Sequence, residues 1–211
     1  MRFDEFLGLV GNEPLFSSSL LGVVGVSPRQ ARLQLVRWVN AGKLIRLRRS
    51  LYALNQPFRK IEPHPFLLAN RIRKASYVSL QSALSHYNMI PEYVPVVTSV
   101  TTGRPEEVRT ELGTYVFRHV RKQLFGGFLS VMVAPGQSAF LATPEKALLD
   151  LIYLAPGGDQ EVYIDELRLQ NETALSTQAL MDAAKLFDSP KIDRAVAGIR
   201  ARMASEKEQS L

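Results

Sequence analysis

The sequence contains no cysteine, which excludes a disulfide scaffold, a thiolate metal site and a cysteine nucleophile, and which suits a reducing cytoplasm. Its three histidines, His64, His86 and His119, are scattered without ligand-like spacing, so no metal or cofactor site is expected. No apolar run reaches the roughly 18 residues that a membrane helix needs. Met1-Arg2-Phe3-Asp4-Glu5-Phe6 puts an acidic pair where a secretory leader is basic and then apolar, so the expected compartment is the cytoplasm and no membrane partner is expected. The most informative lack is of acid: from Pro14 to Ile61 there is no Asp or Glu.

What fills that stretch is base: Arg29, Arg32, Arg37, Lys43, Arg46, Arg48, Arg49, Arg59 and Lys60. Residues 1–60 hold ten bases against three acids, while residues 61–211 hold sixteen against seventeen, so the whole excess of the +6 chain lies in the first segment. Such a block suits a polyanion partner, because Lys and Arg that neutralise phosphates release condensed counterions. The plainer alternative is a solvated basic face. A chain of 211 residues, 46% hydrophobic, can bury one good core and a second small one, so two domains are expected.

Local signals order the first segment. Phe3, Phe6, Leu7 and Val10 recur at helical spacing over residues 2–11, and Gly11 to Pro14 stop that helix. A short second helix follows, capped by Ser17, Ser18 or Ser19, with Leu20, Leu21 and Val24 on its apolar face. Ser27-Pro28 then starts a third helix to about Ala41: serine supplies a capping oxygen, and proline at the first position loses no hydrogen bond. Ala31, Leu35, Trp38 and Val39 share its core face; Gly42 closes it in a left-handed cap. Residues 43–47 and 51–54 read as strands joined by a turn at Arg48-Arg49-Ser50. Three helices and a basic hairpin follow the order of a winged helix-turn-helix, here residues 1–56, with Phe6, Leu20, Leu35, Trp38 and Leu47 as its small core.

Residues 57–65, rich in proline, read as a linker, and 66–211 as a mixed α/β (α+β) domain. Helices are expected over 66–74, 79–88, 144–154 and 190–205, and strands over 95–102, 114–120 and 129–134. Thr143-Pro144-Glu145 opens the strongest of these helices, and Ile192, Val196, Ile199 and Met203 stripe the last.

Recognition helices present their N-terminal residues to base edges, and Ser27, Arg29 and Gln30 occupy that end of the third helix. Arginine pairs with guanine and glutamine with adenine through two bonds each, whereas Arg32, Arg37 and the hairpin's Arg46, Arg48 and Arg49 suit backbone phosphates. The plainer readings are an amphipathic helix with solvated arginines and a hairpin whose charges guard its edges. No phosphate-cradling glycine loop or nucleophile elbow occurs. An acid–base pair of Glu145 and His119 is conceivable, but an acid in the first turn of a capped helix is expected for dipole reasons alone. No catalytic residue is therefore assigned.

The run from Ala41 to Leu54, AGKLIRLRRSLYAL, resembles the wing of the AbiEi-type antitoxins, transcriptional regulators of viral defence systems. Ser76 to Leu84 (SYVSLQSAL) and Ala142 to Asp150 (ATPEKALLD) are similar to two further segments of that family, so the resemblance spans about residues 1–190. Ser50 stands where the family usually has glycine, and Asn88 where it has glycine after the Ser79 helix. The resemblance implies an autorepressor acting on double-stranded operator DNA with inverted repeats. It also implies a type IV antitoxin that opposes a nucleotidyltransferase-like toxin without needing a stable complex. Thr143, Glu145, Lys146 and Asp150 are then the candidate residues for antitoxicity. The alternatives are a plain winged-helix transcription factor whose second domain senses a ligand or oligomerises, and a nucleic-acid-processing enzyme that uses the basic module for delivery.

Overall fold

Aromatic side chains gather the first 54 residues around a small core. Phe6 stacks on Trp38 at 4.7 Å and meets Phe16 edge-on at 5.2 Å, while Phe3 meets Trp38 at 5.4 Å. The computed structural model describes residues 1–171 and 175–209. In the first part, α1 (Phe3–Val10), β1 (Phe16–Ser17), α2 (Leu20–Val23), α3 (Pro28–Asn40), β2 (Leu44–Arg48) and β3 (Leu51–Leu54) follow in order. The strands form an antiparallel sheet β1-β3-β2, with Phe16 opposite Tyr52 and Arg46 opposite Tyr52 on the other side.

The caps follow the chemistry of their residues. Ser27 Oγ accepts the Gln30 N–H at 3.4 Å, Pro28 occupies the first turn of α3, and Gly42 takes a left-handed φ of 67° just beyond its end. Ser50 takes a φ of 66° in the hairpin turn, a conformation that costs a residue with a Cβ, so the departure from glycine is a strained one. Around α2 the expectation needs correcting. No serine side chain caps it, Ser19 Oγ instead donating to Ser17 Oγ, and Val24 is exposed.

The second part comprises α4 (Pro65–Ile72), β4 (Ser76–Val78), α5 (Leu80–His86), β5 (Val96–Thr101), β6 (Glu106–Thr110), β7 (Gly113–His119), β8 (Phe128–Ala134), β9 (Gln137–Ala142), α6 (Pro144–Leu154), α7 (Glu161–Glu166), α8 (Thr177–Ala184) and α9 (Pro190–Gln209). Its six strands lie in the order β6-β7-β5-β4-β9-β8, with β5/β7 and β4/β9 parallel and the other pairs antiparallel. The chain is thus of α/β class. Three of these strands escape the periodicity: β4 has only three residues, β6 (Glu-Glu-Val-Arg-Thr) reads as a polar loop, and β9 (Gln-Ser-Ala-Phe-Leu-Ala) lacks β-branched residues.

The hairpin β2–β3 belongs to both cores. Leu44, Tyr52 and Leu54 pack with α1 and α3, whereas Ile45, Leu47 and Ala53 join the larger cluster of Leu68, Ala69 and Ile72. Leu47, assigned from sequence to the first core, therefore lies in the second. The expected linker is also held: the Gln137 amide accepts His64 N–H at 2.8 Å and donates to the Glu62 carbonyl at 2.9 Å, and Phe58 meets Phe3 edge-on at 5.0 Å.

Candidate nucleic-acid interface

Helix α3 buries Ala31 and Leu35 and turns Arg29, Gln30, Arg32 and Arg37 to solvent. At its start the Ser27 hydroxyl donates to Gln30 Oε1 at 3.0 Å, so cap and glutamine are held together beside Arg29. The first turn carries no acid, which leaves the positive end of the helix dipole uncompensated. Between α3 and the hairpin lies a cleft of about 600 Å³, walled by Ser17, Ser18 and Ser19, by Ala31 and Arg32, and by Arg46, Arg49 and Ser50.

Ser27, Arg29, Gln30, Arg32, Arg37, Arg46 and Arg49 are all exposed. Among the described residues none of these five arginines forms an ion pair. Arg48 differs. It is half-buried, its Nη2 lies 3.0 Å from Glu106 Oε1, its Nη1 donates to the Ile72 carbonyl at 3.2 Å, and Arg73 shares Glu106 at 2.8 Å. Grouping Arg48 with the open cations therefore needs correcting, because it is already paired with a carboxylate of β6 that Arg73 shares. Lys43 is likewise engaged, 4.4 Å over the Phe3 ring. Sequence reasoning missed Leu33 and Val36, apolar yet 52% and 44% exposed among the arginines of α3. The available signal was that both lie off the helix's core face.

The four residues singled out on α6 are mostly inside. Thr143 Oγ1 caps the helix by accepting Lys146 N–H at 3.3 Å, and Glu145, nearly buried, accepts Ser176 N–H at 2.9 Å. Lys146 and Asp150 are fully buried and form an ion pair. Lys146 Nζ also donates to Tyr77 Oη at 2.8 Å and lies 4.8 Å from the Phe187 ring centroid; Asp150 Oδ2 accepts Tyr77 O–H at 3.0 Å and Ser79 O–H at 2.8 Å. Gly127, at a φ of 70°, passes so close that a Cβ there would meet the Lys146 stem at 3.0 Å. Burial pushes the Asp150 carboxyl up and the Lys146 ammonium down, each opposed by its partner's charge, and burial together with Asp150 pushes the Tyr77 phenol up. This cluster is an internal brace, inaccessible to a partner. His119 Nδ1 lies 2.9 Å from the Gly103 carbonyl, and among the described residues no group of three or more acids and histidines is gathered for a metal.

No protein-family model matches the chain, and no curated protein matches it. Among the described residues no helix is long and apolar enough to cross a membrane.

Proposed function

We propose that the chain is a cytoplasmic DNA-binding antitoxin and autorepressor, resembling the AbiEi type, that grips double-stranded DNA through α3 and the β2–β3 hairpin. The observation that carries the DNA half is the exposure on α3 and the hairpin of five uncompensated arginines, Arg29, Arg32, Arg37, Arg46 and Arg49, of which Arg32, Arg46 and Arg49 line one cleft, in a stretch without a single acid. The element order α1, β1, α2, α3, β2, β3 agrees with a winged helix-turn-helix. Arg29 and Gln30 then read bases, Leu33 and Val36 suit thymine methyl groups, and Arg32, Arg46 and Arg49 hold phosphates.

What supports the antitoxin half is the resemblance of three ordered segments, Ala41–Leu54, Ser76–Leu84 and Ala142–Asp150. The last two hold the buried brace, so in this reading they shape the second part's surface and do not themselves touch a toxin. The test is binding of the full chain to the DNA upstream of its own gene across a salt series. The three phosphate contacts of Arg32, Arg46 and Arg49 give a log–log slope of about −3 per bound chain. A flat salt response overturns the DNA half. Co-expression with a neighbouring nucleotidyltransferase-like gene tests the other half, which fails if growth is not rescued.

A further inference from the structure

The six-stranded sheet ends in two unlike edges. At one, β6 carries Glu106, Glu107 and Arg109, the charged side chains with which proteins keep an edge from pairing. At the other, β8 (Phe-Leu-Ser-Val-Met-Val-Ala) carries no charge, and the sequence from Gln123 to Pro144 contains none. Leu129 is 62% exposed, Met132 73%, and Phe140 on neighbouring β9 48%. Among the described residues no backbone hydrogen bond joins residues 128–134 to any segment other than β9, apart from those within the strand pair. A seven-residue apolar strand is thus left with an open edge.

We infer that β8 pairs antiparallel with β8 of a second copy of this chain, joining two six-stranded sheets into one about a two-fold axis at Ser130. The strand dictates that register. Phe128 to Met132 run in regular register with β9, and a bulge between Met132 and Ala134 ends the regular edge. Centring five residues on Ser130 sets Ser130 against Ser130, Leu129 against Val131, and Phe128 against Met132. The two exposed large apolar side chains of β8, Leu129 and Met132, are thereby each covered by an apolar neighbour, and thioether meets aromatic ring at both ends. A charge at the axis position would meet its own like, and a lone charge elsewhere on the strand would face an apolar side chain; the complete lack of charge removes both costs, as a self-complementary surface requires. The charged β6 edges stop the sheet from growing further. The pairing stands apart from the DNA reading, though a two-fold dimer would present its two α3 helices with the symmetry of an inverted repeat.

Because the chain has no cysteine, a single introduced one reports the contact directly. The Ser130→Cys chain, oxidised at micromolar concentration, forms a disulfide-linked species of twice 23.6 kDa, because directly opposed antiparallel residues lie within disulfide reach. Glu107→Cys on the opposite edge stays unlinked. In sedimentation velocity the unmodified chain doubles in mass with rising concentration. A Leu129→Lys/Met132→Lys chain, altered only at exposed positions and checked for an unchanged circular dichroism spectrum, remains at 23.6 kDa. The inference is overturned by a chain that stays monomeric throughout, by a dimer that survives the lysine pair, by species larger than a dimer, or by a dimer that Ser130→Cys does not link.

Discussion

Lys146 shows how far burial can reverse a reading made from local rules. A lysine in the first turn of a helix opposes the dipole and looks dispensable, so from sequence its removal should spare folding. In the folded chain it neutralises Asp150 with both side chains fully buried. Lys146→Met therefore leaves a carboxylate unpaired in the core and should cost about 3–5 kcal/mol in chemical denaturation. Adding Asp150→Leu should recover part of the loss. A single variant within about 1 kcal/mol of the parent would mean that the brace is not ionic. A second residue-scale effect concerns His64, whose pKa is lowered by burial and then by His86, and whose Nδ1 accepts the Phe66 N–H at 3.2 Å as the cap of α4. A protonated ring cannot accept that bond. Because the folded pKa lies below the unfolded one, the contribution to stability is present above pH 6.5 and is lost as pH falls through the folded value. Melting curves from pH 8 to 5 should therefore fall more steeply for the parent than for His64→Asn, which keeps a capping oxygen and does not titrate. Parallel curves would remove His64 as the cause.

At the scale of elements, α3 and the hairpin divide the work of binding unequally. Arg29→Ala or Gln30→Ala should cost about 1–3 kcal/mol on the preferred DNA and blunt discrimination, as loss of a base contact does. Arg49→Ala should weaken every DNA to a similar degree. Arg48→Ala should change affinity much less than Arg49→Ala, because Arg48 lies against Glu106 and the Ile72 carbonyl and not at the open turn. Fluorescence anisotropy on matched and scrambled duplexes measures all four. If Arg48 proves as important as Arg49, the hairpin must release Glu106 on binding DNA, and the free structure is not the bound one.

For the whole molecule, the shared hairpin decides whether the two parts are separable. From sequence alone, an isolated fragment of the first 60 residues should fold and bind DNA. Its hairpin, however, places Ile45, Leu47 and Ala53 in the larger core. Exposing a buried Ile and a buried Leu forfeits about 1.5–3 kcal/mol each, a large part of what so small a core supplies. Residues 1–62 alone should thus fail to give a cooperative melt, while the full chain unfolds in one transition. Two separate transitions in the full chain, or a well-folded fragment, would contradict this coupling.

The amino-acid sequence by itself determined what depends on neighbours a few residues away. It specified the start of α3 at Ser27-Pro28, its stop at Gly42, the Thr143 cap, the buried stripe of α9 and the acid-free basic segment. Only the tertiary structure decided which partner distant groups meet: Glu106 for Arg48 and Asp150, Tyr77 and Phe187 around Lys146, as well as the parallel pairing of β4 with β9. One such fact did leave a trace, since β3 (Leu-Tyr-Ala-Leu) is apolar on both faces, as a strand buried on both sides is. Period-two patterning says that a face is buried but not against what. The answer depends on which segments 20 or 60 residues away close the loop, and no short-range energy term in the sequence specifies that.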